Sequence, residues 1–80
     1  MLKYDVEYVD IDADYEGRFW IVGTDVICTC DSIEEANRHI EMCAAEDGID
    51  VNRRRDDWYA YDDSVPYAIY QVRIYKEEES

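Results

Sequence analysis

One stretch of the chain carries a helix signature that no other segment shares, and it constrains the fold more than any other feature. Ser32-Ile33-Glu34-Glu35 is a capping box, in which the serine hydroxyl accepts the Glu35 amide and the glutamate reaches back. Apolar residues then recur at helical spacing, and Gly48 follows as the expected residue after the helix end. These apolar residues are Ile33, Ala36, Ile40, Cys43 and Ala44. The sequence therefore predicts a single helix from about Ser32 to Asp47, flanked by segments that must supply the strands.

The first flanking segment, Leu2–Asp10, predicts a strand with one buried face and one polar face, because apolar and polar residues alternate along it. The pattern then breaks. If the strand continued flat, Asp10, Asp12 and Asp14 would lie on its buried face. Unpaired carboxylates are too costly to bury. We therefore expect the strand to bulge or end within Val9–Ile11 and the chain to turn over Asp12–Gly17.

Further strands are predicted on both sides of the helix. Arg18–Cys30 holds two strand-like runs separated by Gly23-Thr24-Asp25, which is either a tight turn or a bulge in one long strand. After the helix, Trp58–Tyr61 and Tyr67–Lys76 have strand composition, with Asp62-Asp63-Ser64 as a turn between them. The predicted fold class is α+β: an antiparallel sheet of four to five strands with one α-helix packed on one face, in the order β-β-(β)-α-β-β.

Composition limits what such a domain can bind. The chain has 80 residues, 21 Asp and Glu against 8 Lys and Arg, and a formal net charge of −13. This charge repels DNA, RNA and anionic membranes. The length allows one domain, 1–80, with a frayed acidic tail at 77–80. No apolar run approaches the ~18 residues of a membrane span, and the odd number of cysteines favours reduced thiols in a cytoplasm.

Two patterns in the sequence have the composition of a metal site, and each also has a simpler interpretation. Asp10-x-Asp12-x-Asp14 begins like a calcium loop, but Tyr15 and Ile21 stand where the EF-hand requires Gly and Glu. A solvated acidic turn explains this run better, and we expect no calcium site.

The second pattern is a Cys₃His set formed by Cys28, Cys30, His39 and Cys43. Small buried thiols between a helix and a sheet explain the three cysteines without a metal. The prediction is therefore no metal and no cofactor, with a zinc-stabilised module as an alternative. A single histidine and three isolated glycines give no nucleophilic or phosphate-binding motif, so we expect no enzymatic activity.

The acidic residues themselves are the main functional signal. Six of them follow one another between residues 5 and 16 with no basic residue among them. On an extended chain, alternate carboxylates lie about 6–7 Å apart, which is of the same order as the spacing of DNA phosphates. The candidate partner-binding residues are Asp5, Glu7, Asp10, Asp12, Asp14, Glu16, Asp56, Asp57, Asp62 and Asp63. The partner implied is a basic nucleic-acid-binding protein.

In its size, its charge of −13, its α+β order and its lack of catalytic motifs, the chain resembles phage-encoded DNA-mimic inhibitors, among them small acidic anti-CRISPR proteins. The resemblance implies a non-enzymatic inhibitor in the bacterial host cytoplasm. It would block the DNA-binding, PAM-recognition surface of a CRISPR effector complex. We expect a monomer that contacts neither nucleic acid nor membrane. The alternative is a small cytoplasmic protein-interaction or accessory domain, homodimeric through a sheet face bearing Trp and Tyr, whose acids serve solubility.

Overall fold

A computed structural model describes residues 1–77, in which one α-helix packs on one face of a five-stranded antiparallel sheet. In chain order the elements are β1 (Leu2–Ala13), β2 (Phe19–Cys30), α1 (Ile33–Asp47), β3 (Asp50–Asn52), β4 (Tyr59–Tyr61) and β5 (Ala68–Lys76). The strands lie in the spatial order β2-β1-β5-β4-β3. The predicted α+β fold with one helix is confirmed. The structure adds β3, a three-residue strand that the sequence analysis did not predict.

The helix begins and ends at the residues that the sequence indicates. Ser32 has an extended backbone, and its hydroxyl accepts a hydrogen bond from the Glu35 amide at 3.2 Å. Gly48 adopts a left-handed conformation with φ of 67°, and its amide donates to the Ala44 carbonyl. Glycine takes up this conformation without the steric cost that other residues incur. Local sequence is therefore sufficient to position both ends of α1.

Small side chains make up most of the core between α1 and the sheet. The buried cluster consists of Val6, Cys30, Ala36, Ile40, Ala44 and Ala60. Among the described residues, the largest fully buried side chains are Ile40 and Val6. Half-buried aromatic side chains, including Trp58 and Tyr70, pack around this cluster. A domain of 80 residues with so small a core has little hydrophobic stabilisation to spare.

The irregularities of the first hairpin lie in β2. Its pairing with β1 skips one β2 residue at Ile27 and another at Val22, so each of these is the extra residue of a β-bulge. Gly23-Thr24-Asp25 lies between the two bulges inside one long strand, so the bulged-strand interpretation is right and the tight turn is wrong.

Beyond Tyr8, β1 pairs with β2 alone, because its pairing with β5 ends there. The outer part of the hairpin, residues 9–24, is thus a two-stranded ribbon, and we use that name below. The ribbon extends past the helix, so the helix does not cover Asp12, which is exposed. For this reason β1 runs on to Ala13 through the register shift at Asp10/Ile11, and the predicted turn begins two residues later than expected, at Asp14.

Two contacts fix the remaining segments. The buried Asn37 side chain donates to the Asp56 carbonyl at 2.6 Å and accepts the Trp58 amide at 2.9 Å, which anchors the loop before β4 on α1. The Glu77 amide donates to the Met1 carbonyl at 3.0 Å. The remainder of the predicted frayed tail, 78–80, lies outside the described residues.

The helix found within residues 1–77 lacks the length and apolar content needed to cross a membrane.

Candidate functional site

The first two acids of the predicted row are buried on the sheet face opposite the helix. Asp5 is 7% exposed and accepts hydrogen bonds from the Thr29 hydroxyl at 2.7 Å and the Tyr75 hydroxyl at 3.3 Å. Glu7 is 3% exposed and accepts from the Gln71 amide group at 3.2 Å. These carboxylates link β1 to both neighbouring strands. The expectation that Asp5 and Glu7 present exposed carboxylates to a partner is therefore wrong, because hydroxyl and amide groups of β2 and β5 side chains hydrogen-bond to them.

At the ribbon tip, Asp14 and Glu16 are engaged by Arg18. Asp14 accepts the backbone amides of Glu16 and Arg18 at 3.0 Å each, and the Arg18 Nε at 2.8 Å. The Glu16 carboxylate lies 2.9 Å from the Arg18 guanidinium. Hydrogen bonds from the backbone, that from Arg18 foremost, lower the pKa of Asp14. Asp14 shapes the turn, and Arg18 compensates part of the charge of both acids.

One predicted acid, Asp10, lies with other acids where the helix ends and the ribbon begins. The Tyr8 and Tyr70 rings pack with 5.4 Å between their centroids, and the Tyr70 hydroxyl donates to Asp47 at 2.6 Å. This bond raises the pKa of Tyr70 well above its ordinary value. Asp10 follows Tyr8 by two residues on the same strand face, and it interacts with the carboxyl of Asp25 on β2. The end of α1 and the start of the ribbon thus adjoin through the tyrosine pair.

The short strands bring further acids to the same end. Asp50 pairs with Tyr61 at the start of β3, and the turn residues Asp62 and Asp63 follow Tyr61 directly. Asp62 accepts the Ser64 amide at 2.9 Å and its hydroxyl at 2.7 Å. The backbone hydrogen bond is the main reason that the pKa of Asp62 is lowered. Asp62 thus remains charged and fixed in position.

We call this surface the acidic end and define it by eight carboxylates that are exposed, or half-buried in the case of Asp10. They are Asp10, Asp12, Asp25, Glu46, Asp47, Asp50, Asp62 and Asp63. The ion pairs found within residues 1–77 join Lys3, Arg18 and Arg53 to acids outside this set. Within the described part of the chain, the acidic end is therefore not neutralised by a salt bridge.

The arrangement of the acidic end opposes folding. Glu46 and Asp47 lie in the last turn of α1, which carries no basic residue, and the negative end of the helix dipole disfavours acids there by about 0.3–1 kcal/mol each. Burial, and next the facing Asp25, raise the pKa of Asp10. Local sequence choices that weaken a fold are expected at functional sites.

Asp56 and Asp57 belong to a different surface. They lie in the loop that Asn37 anchors near the first half of α1, next to the arginine triplet. The Arg53 guanidinium lies 5.3 Å from the centre of the Trp58 ring and 3.7 Å from the Glu41 carboxylate. The acids and arginines of this loop are thus interspersed, and the loop is not part of the acidic end.

Four predicted contact residues come together at the acidic end: Asp10, Asp12, Asp62 and Asp63. Four of its members were missed by sequence reasoning: Asp25, Glu46, Asp47 and Asp50. The missed acids stand at the end of the helix, at the start of β3 and beside a bulge. The absence of a basic residue in the last helical turn is the signal that could have indicated Glu46 and Asp47.

A second surface is apolar. β2 is an outer strand of the sheet and exposes five large apolar side chains, each between 44% and 66% accessible. They are Trp20, Ile21, Val22, Val26 and Ile27, and we call them the apolar edge. Asp25 is the one charged residue within β2. An outer strand also presents unpaired backbone groups on its free side, with which another strand can pair.

A third group joins the end of β2 to the middle of α1. The possible metal-ligating atoms of Cys28, Cys30 and His39 all lie within 4.8 Å of one another, and the two sulfurs are 4.0 Å apart. We call these three residues the thiol–imidazole cluster. Burial, and next the neighbouring thiol of Cys28, raise the pKa of Cys30 to about 11. Burial also raises the pKa of Cys43, which lies one helical turn beyond His39. The cysteines are all free thiols.

Comparison of the chain with protein family models, with curated proteins and with solved structures gave no match. Three features of the structure therefore bear on function: the acidic end, the apolar edge and the thiol–imidazole cluster.

Proposed function

We propose that the protein is a non-enzymatic acidic inhibitor that mimics DNA and blocks the DNA-binding, PAM-recognition surface of a CRISPR effector complex. The observation that carries this proposal is the acidic end, which combines eight carboxylates without a salt bridge among the described residues. The cost of this arrangement to folding supports a role in recognition, because solubility alone requires a smaller charge, with a magnitude of about 2–8 in a small domain.

The spacing of the acids suits a surface that binds phosphates. Asp10 and Asp12 alternate on one face of the ribbon, which places their Cα atoms about 6–7 Å apart. The helix end and the turn after β4 add charge beside this row, so the surface is broader than a single strand. A basic groove that binds DNA would attract this field, accelerate association and lose affinity as salt is added.

Apolar anchors are available near the acids. Tyr15 at the ribbon tip is 98% exposed, and Tyr61, which precedes the acidic turn, is half-buried. Tyrosine side chains at protein interfaces contribute a large share of the binding energy, whereas charge mainly governs association and orientation. In this proposal the tyrosines supply much of the binding energy, and the carboxylates accelerate and orient the association.

The test compares two triple charge reversals in an assay of DNA binding by a purified CRISPR effector complex. Asp12→Lys, Asp50→Lys and Asp63→Lys together alter the acidic end. Glu34→Lys, Glu41→Lys and Asp56→Lys alter exposed acids elsewhere and form the matched control. Each reversal adds two charges, so both variants change from −13 to −7.

We expect the acidic-end variant to lose inhibition of DNA binding and the control variant to keep most of it, at low and at physiological salt. Circular dichroism establishes that both variants are folded. Equal loss in the two variants would show that net charge alone acts, and unchanged inhibition in the acidic-end variant would exclude the surface.

The apolar edge supports a second candidate function: a small protein-interaction or accessory domain that dimerises through β2, with the acids serving solubility. Copies that each carry −13 can approach one another only through a surface poor in charge, and β2 is such a surface. Light scattering at several concentrations tests it. A dimer that Val22→Lys dissociates would support this candidate, and a mass of 9.5 kDa at every concentration would exclude it.

A further inference from the structure

The thiol–imidazole cluster has the composition and near geometry of a zinc site. In a tetrahedral site, Zn–S bonds of about 2.3 Å and Zn–N bonds of about 2.0–2.1 Å place the ligand atoms roughly 3.5–3.8 Å apart. The Cys28 and Cys30 sulfurs are 4.0 Å apart, and the His39 nitrogen completes a triangle with no side longer than 4.8 Å. A contraction of no more than about 1.3 Å on any side, within the reach of side-chain rotations, produces zinc geometry.

The ligand types select the metal. Two thiolates and an imidazole favour zinc or another thiophilic ion over calcium and magnesium, which prefer oxygen ligands. Cys30 is buried in the core, whereas Cys28 and His39 are half-buried, so the cluster lies at the border of the helix–sheet interface and an ion can reach it. The surrounding protein, with a net charge of −13, attracts a dication.

The position of the cluster gives the ion a structural task. Cys28 and Cys30 lie at the end of β2, and His39 lies in the middle of α1, so one ion would join the outer strand of the sheet to the helix. The core beneath is built largely from alanine and other small side chains. Small domains with such cores are commonly stabilised by a structural metal.

We infer that Cys28, Cys30 and His39 bind one zinc ion that fastens α1 to the end of β2. Binding converts the two thiols into thiolates and releases their protons to solvent. The site stabilises the fold and performs no reaction. The inference does not depend on the proposed inhibitory function, because it involves a different surface from the acidic end.

The first experiment uses the full chain without an affinity tag. Protein purified from zinc-supplemented cells and then dialysed is analysed for metal and for reactive thiols. We expect one zinc per chain, together with protection of Cys28 and Cys30 from a thiol reagent until a chelator is added. Replacement of zinc by Co²⁺ should give the intense visible absorption of a tetrahedral thiolate site. Protein without equimolar zinc, before and after addition of excess Zn²⁺, would overturn the inference.

Variants assign the ligands. Cys28→Ala, Cys30→Ala and His39→Gln should each lower zinc affinity by at least 100-fold, whereas Arg38→Gln, the exposed neighbour on the same helix, should bind zinc as the natural chain does. Cys43→Ala should retain one zinc per chain, because three ligands remain. Zinc binding by Cys28→Ala or His39→Gln with unchanged affinity would contradict the assignment. If a variant fails to fold, the cobalt spectrum of the natural chain still shows whether the cysteines bind the metal. Absorption without thiolate character would exclude the site.

Discussion

The two halves of β1 both contain two acids alternating with apolar residues, but the acids are buried in one half and more accessible in the other. In the inner half, Asp5 and Glu7 are buried and hydrogen-bonded between two neighbouring strands. In the outer half, Asp10 and Asp12 lie on a ribbon that no longer pairs with β5, where Asp10 is half-buried and Asp12 is exposed. Both halves are extended, but Asp5 and Glu7 lie on the face opposite the helix and Asp10 lies on the face of Tyr8, so the acids of the two halves meet different neighbours. Neighbouring elements decide whether an acid of β1 holds the sheet together or remains available to a partner.

The contrast between the core and the ribbon gives the largest expected effect, through one isoleucine in each. Ile40 is fully buried in the core, whereas Ile21 on the ribbon is about half exposed. We expect Ile40→Ala to lower the free energy of unfolding by about 2–5 kcal/mol, because it removes buried methylenes and leaves a cavity. Ile21→Ala should change it by less than about 0.5 kcal/mol. Urea denaturation measures both, and similar losses would mean that the ribbon is packed against another surface.

The acids of β1 provide the next test. Asp5→Ala leaves the Thr29 and Tyr75 hydroxyls without their acceptor, so we expect a loss of about 1–3 kcal/mol in the free energy of unfolding. Asp12→Ala should be neutral or slightly stabilising, since it removes one charge from a strongly negative surface. Equal stability of the two alanine variants in urea would show that the buried Asp5 contributes no more to stability than the exposed Asp12.

A smaller effect is expected from the charges at the two ends of α1. Glu46 lies in the last turn, where the helix dipole disfavours an acid, and Glu34 lies in the first turn, where the dipole favours one. Glu46→Lys should stabilise the protein by about 0.3–1 kcal/mol, and Glu34→Lys should destabilise it by a similar amount. Thermal unfolding at low ionic strength measures both shifts. Shifts of the same sign would indicate that net charge, rather than position on the helix, controls stability.

The smallest predicted effect is on the pH dependence of stability, to which two sets of carboxylates contribute in opposite directions. The pKa of Asp10 is raised above 3.8, chiefly by burial, so the folded state binds this proton more readily than the unfolded state does and gains stability as pH falls. The pKa values of Asp14 and Asp62 are lowered, so their contribution is present above the ordinary carboxyl pKa and is lost as pH falls through the lowered values.

The unfolding temperature should therefore rise slightly as the pH falls from 7 toward the ordinary carboxyl pKa and should fall once the pH drops below it. Asp10→Asn should flatten the rise without altering the fall. A steady decrease in unfolding temperature from pH 7 downward would contradict the assignment of a raised pKa to Asp10.

The features that could be predicted from the sequence are those that neighbouring residues determine. The helix bounds follow from a cap at Ser32 and a left-handed glycine at Gly48, both within one turn of the helix. The helix ends depend on contacts of short sequence separation. The irregularity expected near Asp10 is present only as a register shift whose extra residue is Val22 on β2, so β1 itself neither bulges nor ends within Val9–Ile11.

The features that could not be predicted depend on contacts between distant parts of the chain. The Gln71 that covers Glu7 lies 64 residues away, and the Tyr70 that links the helix end to β1 lies 23 residues from its partner Asp47. The three-residue strand β3 is too short to show any alternation of its own. Burial of the inner acids and assembly of the acidic end both required the strand order, which the sequence pattern did not contain.

Competition between the protein and DNA for a CRISPR effector complex tests whether the acidic end occupies a DNA-binding surface. A labelled DNA duplex containing a PAM is bound to a purified CRISPR effector complex, and the protein is added at increasing concentrations and at two salt concentrations. We expect the protein to displace the duplex competitively, added salt to weaken this displacement, and the Asp12→Lys, Asp50→Lys, Asp63→Lys variant not to compete. A ternary complex of effector, duplex and protein, or displacement by this variant with unchanged affinity, would show that the acidic end does not occupy the DNA-binding surface.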